Sequence, residues 1–346
     1  MNTIIHKFML AILTAAISVG LSLAAAAQEP PTPMPTSKPK VKITPPSYPA
    51  PAAPPAPWKN YHGGETYERS IAVTANVNLN LCVTEGTLKV NGWNRNEVRV
   101  YVENGSKFGF KIIDKASDGK AVWIGISSFN QKYGNECIWG EDIEVDVPVG
   151  TTLNLSGKSI QATVDTVKRV SVKSAGGDIT VRNVKNGVTA LTYEGDITLE
   201  ESSGQISLET TTGNIMVFDA GPTDIGDAFK AKTNGGAISL QRVIHRAIEV
   251  SSISGSVYFN GELKSGGTYS LSTTNGTIRL TLPANTGCKL AATFTSGSFA
   301  SEFPFKVETE NVSEGDLKTI VGKIGPGGDA VLKLSTVAGL IGIKKQ

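Results

Sequence analysis

Seven glycines set the strongest constraint on what this chain can fold into: Gly177, Gly195, Gly213, Gly236, Gly255, Gly276 and Gly297. Each is followed two residues later by Ile, Val or Phe, and successive members lie 18, 18, 23, 19, 21 and 21 residues apart. An irregular period near twenty is the pattern of a solenoid, in which every repeat packs only on its neighbours. Other columns fall into register with the glycines. Seven residues before each stand Val170, Val188, Ile206, Phe229, Ile248, Tyr269 and Leu290; five before stand Val172, Ala190, Leu208, Ala231, Val250, Leu271 and Ala292. Three before, the series Ser174, Thr192, Thr210, Thr233, Ser252 and Thr273 is broken by Phe294.

Positions minus seven, minus five and minus three share one face of a strand, as do plus two and plus four on the next. Each coil therefore turns an apolar set inward. The Ser/Thr column shares that inward parity, so its hydroxyls must bond one another or the turn backbone, because buried polar groups need partners. A further coil surrounds Gly339, 42 residues after Gly297. The expected stacking order is the chain order, with residues 302–330 as an excursion and Lys344 and Lys345 as charged gatekeepers at the final edge. The fold class expected is all-β: a single-stranded, right-handed parallel β-helix of about 20 residues per coil, spanning residues 151–346.

Ahead of the repeats, residues 58–150 alternate apolar and polar positions, as in Val98-Arg99-Val100-Tyr101-Val102 and Ile143-Glu144-Val145-Asp146-Val147. Alternation punctuated by Asn-Gly and Asp-Gly turns reads as an antiparallel β region that caps the solenoid. Its longest interruption holds Phe129, Tyr133 and Trp139, which either form a binding surface or pin the loop to its own sheet.

Residues 1–27 have a short basic start, an apolar run from Phe8 to Leu23 and an Ala25-Ala26-Ala27 end, the layout of a cleaved signal peptide. The alternative is an uncleaved anchor, since the run is nearly long enough to span. No Cys lies near the cleavage site to be acylated, and no second apolar stretch approaches spanning length, so the mature chain is expected to be exported and not membrane-spanning. It would reside in the periplasm, at the cell surface or outside the cell. Residues 28–57 hold 12 of the 17 prolines and form a Pro-rich linker, a semi-rigid spacer in extended polyproline conformation. Export permits disulfides, and three cysteines allow one intramolecular pair. Cys82 with Cys137 is the candidate; otherwise all three are small buried hydrophobes.

Charge and composition exclude several function classes. A net charge of +2 supplies no field for nucleic acid. Only His62 and His245 remain beyond the targeting segment, and His245 reads as a surface residue of a connecting loop. The chain carries no phosphate-binding loop, dinucleotide fingerprint or CxxC pair. One acidic pair stands out: Asp178 and Asp196 share the position after the glycine, with Asn214 next. Adjacent coils would bring the carboxylates to roughly 5 Å, a separation used by retaining glycosidases and within reach of one Ca²⁺. Asp and Asn are also ordinary turn residues there, and the column continues Ala237, Ser256, Thr277, Ser298. No other cofactor is expected.

Leu88-Lys89-Val90-Asn91-Gly92-Trp93, Glu97-Val98-Arg99-Val100, Val147-Pro148-Val149-Gly150-Thr151-Thr152-Leu153 and the Gly-Asp-Ile-Thr repeats together resemble the bacterial "putative adhesin" β-strand-repeat family, a domain of unknown function. The resemblance runs from about Ile71 to Ile343. It implies a cell-envelope or secreted β-solenoid and transfers no catalytic motif. The expected function is a non-enzymatic, adhesin-like binding or structural protein whose partner is an envelope component, a glycan or a surface protein. The alternative is a polysaccharide-active β-helix enzyme using Asp178 and Asp196.

Overall fold

A computed structural model of the chain describes residues 65–129, 137–224, 226–311 and 317–346. Residues 1–27 and 28–57, expected to be a signal peptide and a Pro-rich linker, lie outside the described residues. Strands account for most of the described chain, and no helix occurs among the described residues.

The repeats fold as two ladders of parallel strands. On one, β7 (Arg169–Gly176), β9 (Val188–Glu194), β11 (Ile206–Thr212), β13 (Ala228–Gly235), β15 (Ala247–Ser254) and β17 (Thr268–Asn275) stack in order. On the other stand β8 (Ile179–Arg182), β10 (Ile197–Ser203), β12 (Ile215–Gly221), β14 (Ile238–Val243), β16 (Val257–Asn260) and β18 (Ile278–Leu282). Register follows the glycine alignment: Ile179, Ile197, Ile215, Ile238, Val257 and Ile278 are successive partners, and all are buried. Each such side chain contributes roughly 1.5–3 kcal/mol by leaving water. Register is well specified here, because a one-residue slip would turn the whole inward set to solvent.

The glycine column is a packing requirement. At Gly195, Gly213 and Gly236 φ is +138°, +150° and +153°, and a Cβ at any of them would collide with the carbonyl of the glycine one coil earlier. The Ser/Thr column bonds that same turn backbone. Thr210 Oγ1 donates to the Gly195 carbonyl at 3.0 Å, Thr233 to Gly213 at 3.0 Å, Ser252 to Gly236 at 2.9 Å and Thr273 to Gly255 at 2.8 Å. A second corner six residues after the glycine was not expected: Asn183, Glu201, Asp219 and Arg242 all have φ between 46° and 57°.

The region before the repeats corrects the antiparallel expectation. The 27-residue strand β1 (Tyr67–Trp93) pairs antiparallel with β2 (Glu97–Glu103) through its first residues only. From Asn78 to Asn91 it runs parallel to β6 (Thr152–Asp165), so it is itself the first coil of the stack. It also pairs parallel with β4 (Ala121–Ser128) and β5 (Asp142–Pro148). Among the described residues of this region, β2 with β5, and β3 (Phe108–Lys115) with β4, add the further antiparallel pairs. Period-2 alternation reports that one face is buried; it is silent on the direction of the neighbouring strand.

The C-terminal order also differs from the chain order. Strand β22 (Val331–Lys345) runs parallel to β17 and β18 on one side and to β19 (Cys288–Ser301) on the other. Gly339 therefore stacks on Gly276, and Gly297 lies beyond it. The excursion holds β20 (Phe305–Asn311) and β21 (Lys318–Ile324), which add antiparallel strands outside β19. Lys344 and Lys345 pair with Thr281 and Leu282 rather than guarding an open edge, and Lys345 Nζ lies 5.4 Å from the Phe303 ring centre.

Candidate functional site

Asp178, Asp196 and Asn214 do share one column, at the turns that enter β8, β10 and β12. Each Oδ1 accepts a hydrogen bond from the backbone N–H one coil later: Asp178 from Asp196 at 2.8 Å, Asp196 from Asn214 at 2.6 Å, and Asn214 from Ala237 at 2.9 Å. Asn214 Nδ2 also donates to Asp196 Oδ1 at 3.3 Å. The column thus acts as a ladder of side-chain acceptors along an exposed corner, supporting a run of backbone donors that the turn leaves unpaired. Among the described residues, no group of three His, Cys, Asp or Glu side chains is arranged to hold a metal ion.

The aromatic loop is partly described. Tyr133 lies outside the described residues. Phe129 is 59% exposed; its N–H donates to the Lys107 carbonyl at 2.9 Å, and the Arg69 guanidinium sits 5.4 Å from its ring centre. Trp139 is 41% exposed, and its N–H donates to Ser106 Oγ at 3.0 Å. Between them Cys137 is joined by a disulfide to Cys82, with Cα atoms 4.6 Å apart. Cys288 is free and buried, and burial pushes its thiol pKa up to about 11, leaving it unreactive.

His245 overturns the surface expectation, being fully buried. Its Nε2 lies 2.8 Å from the Gly204 carbonyl, its ring packs 5.7 Å from Phe229, and Nδ1 has no protein partner. Burial lowers its pKa below 6.5, opposed by the hydrogen bond to Gly204 and the nearby Asp227 carboxylate. The signal missed in Val243-Ile244-His245-Arg246 is that His245 lies two residues beyond the inward-facing Val243 and shares its parity.

One concave site that sequence reading missed is on the outer face of the first coils. A cleft of about 610 Å³ is floored by Asn80 and Gly125 and bordered by Lys111, Ile113, Asn154 and Lys173. It exists because β3 doubles back on β4 through a turn at Asp118 and Gly119, setting Lys111 opposite Gly125. Lys173 stands four residues before Gly177, a parity opposite to the inward columns and so readable as outward from the sequence. Lys111 is not so readable, because only the β3–β4 pairing brings it to the same place.

The family model of Toastrack DUF4097, a domain of unknown function, matches residues 67–344, most of the chain and all of the repeats. The chain belongs to the Toastrack family. Two crystal structures are similar to this Toastrack chain. One is a "putative cell adhesion protein" from Clostridium sporogenes, with 14% identity and a TM-score of 0.27, covering 82% of this chain and 100% of that one. The other is a "putative lipid binding protein" from Parabacteroides distasonis, with 13% identity and a TM-score of 0.31, covering 82% of this chain and 97% of that one. No curated protein matches the chain. Among the described residues no helix is long and apolar enough to cross a membrane.

Proposed function

We propose that this Toastrack chain is an exported, non-enzymatic protein of the cell envelope or cell surface, an adhesin-like binding and structural scaffold. Its stack is read as a right-handed β-helix of about 20 residues per coil. The observation that carries the reading is the use made of the Asp178–Asp196–Asn214 column. These are the side chains best aligned for hydrolysis, and each spends an oxygen on the backbone of the next coil. The same investment in order runs through the Thr-to-glycine bonds, which favours a rigid platform that binds through many weak contacts. The Cys82–Cys137 disulfide supports export, since such bonds persist outside the reducing cytosol.

The test incubates the full chain with isolated envelope fractions, peptidoglycan and soluble polysaccharides, assaying both retention and newly released reducing ends. Saturable retention without release is expected, and the Asp178→Asn, Asp196→Asn double variant should be retained equally, because Asn keeps an oxygen acceptor. Release of reducing ends that this double variant abolishes would establish the polysaccharide-active enzyme instead.

A further inference from the structure

We propose that the cleft between Lys111 and Lys173 opens a binding track for an acidic polysaccharide, a chain of uronic-acid sugars lying across the strands. This deepens the envelope-binding reading and rests on it.

The floor is a row of small polar side chains in strict register. Gly125 pairs with Asn80, Asn80 with Asn154, Asn154 with Ser171, Ser171 with Thr189, and Thr189 with Ser207. All share the outward parity, opposite to the buried Leu79, Leu153 and Val170. Asn154 Nδ2 donates to Asn80 Oδ1 at 3.1 Å, which leaves the Asn80 NH2 group and the Asn154 amide oxygen for a ligand. Neighbouring strands repeat every ~4.8 Å, close to the advance of one sugar in an extended pyranose chain, so each sugar can meet one strand's amide or hydroxyl. Tyr193, 65% exposed on the same face of β9, stands four residues from Thr189, roughly 13 Å along the strand and so beside the row rather than on it.

Charge selects the ligand class. Among the described residues, none lining the cleft is acidic, while Lys111 and Lys173 border it. Lys173 has Ser156 and Leu191 as its cross-strand neighbours, and Lys111 faces Gly125. Lysines on the same outer face further along the stack are matched: Lys232 Nζ lies 3.4 Å from Glu209 and Lys230 Nζ 3.6 Å from Glu249. The cations at the cleft are therefore available for carboxylates brought by a ligand, where the later ones are neutralised by the chain itself. With a net charge of only +2, the preference has to come from this local pair rather than from the whole molecule. The cleft also has an apolar edge at Ile113, 45% exposed, on which the apolar face of a sugar can rest, and it is the row of amides and hydroxyls beside the lysines that favours a polysaccharide over a lipid surface.

Gly125 supplies a variant that fills the site without disturbing the fold. It is an outward strand position, and a Cβ there meets nothing closer than 3.9 Å, from the Asn80 carbonyl oxygen and from Ile113 Cδ1. A Gly125→Leu side chain would extend into the cleft.

The test is fluorescence anisotropy of a labelled galacturonic-acid oligomer titrated with the full chain, beside a neutral glucan oligomer of equal length and anionic phosphatidylglycerol vesicles. The expected result is binding of the oligouronate at least about tenfold tighter than the neutral oligomer, weakening with salt. The Lys111→Ala, Lys173→Ala double variant should lose about tenfold, since two weak ionic contacts are removed. Gly125→Leu should lose at least as much with an unchanged circular dichroism spectrum, while Lys306→Ala on β20 should bind like wild type. Equal binding by wild type, the double variant and Gly125→Leu would overturn the proposal, as would tighter binding to the vesicles than to the oligouronate. If wild type is retained on envelope fractions but binds no oligouronate, this inference falls and the envelope reading stands; if it does neither, both fall.

Discussion

Replacing Gly213 by Ala should destabilise the stack far more than the addition of one methyl group ordinarily would. Gly213 has φ +150°, and a Cβ there would lie well inside contact distance of the Gly195 carbonyl oxygen and 2.6 Å from its carbon. The obstacle is backbone, so no side-chain rotation relieves it. Holding an L-residue in this region costs about 1–3 kcal/mol, and overpacking adds about 1–3 kcal/mol. Any shift of Gly213 also disturbs its carbonyl, which accepts from Thr233 Oγ1 at 3.0 Å. A total of about 2–6 kcal/mol follows from these terms. Gly119→Ala isolates the conformational part: φ is +79°, but nothing lies within 4 Å of its Cβ position. Its cost should be about 1–2 kcal/mol. Urea denaturation followed by circular dichroism and tryptophan fluorescence compares both with wild type. Gly213→Ala within about 0.5 kcal/mol of wild type, or no worse than Gly119→Ala, would refute the claim that close backbone stacking fixes this column.

Three further outcomes are expected. Thr210→Val, which keeps the shape but removes the donor to the Gly195 carbonyl, should cost about 1 kcal/mol in the same assay, whereas a hydroxyl that was only filling space would cost nothing. Reducing the Cys82–Cys137 bond releases a separation of 55 residues from the unfolded state, so the urea midpoint should fall by the equivalent of about 4 kcal/mol; an unchanged midpoint would mean the bond constrains nothing. Burial holds His245 below its ordinary pKa of 6.5, so the unfolded chain takes up that proton before the folded one. Stability is then unaffected by this group above pH 6.5 and declines as pH drops below it, until the folded imidazole also titrates. His245→Gln, which preserves a donor toward the Gly204 carbonyl, should flatten that part of the melting-temperature profile, and an unchanged acid slope would contradict the assignment.

The repeats were legible because each coil repeats the contacts of the one before it: the column that places Ile197 beside Ile215 when the repeats are aligned is the same column that pairs them in space. The Ser/Thr column was legible for the same reason, although its choice of the glycine carbonyl over a neighbouring hydroxyl depends on turn geometry that composition does not carry. Strand direction was not legible. Val98-Arg99-Val100 alternates identically whether its neighbour runs up or down, and β1 is long enough to pair antiparallel with β2 at one end and parallel with β6 at the other. The insertion of β22 between β18 and β19 was hidden because a gap of two periods between Gly297 and Gly339 fixes two coils without fixing their order. At the site, Asp178 and Asp196 were found in one column, but their bonds to backbone N–H groups needed the corner geometry. The cleft was unreadable because Lys111 and Lys173 are 62 positions apart and meet only through the β3–β4 turn.

The most direct test of an exported envelope scaffold is to recover the chain from fractionated producing cells and read its N-terminus and thiols together by mass spectrometry under denaturing alkylation. The account predicts recovery outside the cytosol, a chain beginning at Gln28, Cys82 linked to Cys137, and Cys288 as the one alkylated cysteine. Recovery of the uncleaved chain from the cytosol with all three cysteines alkylated would contradict it.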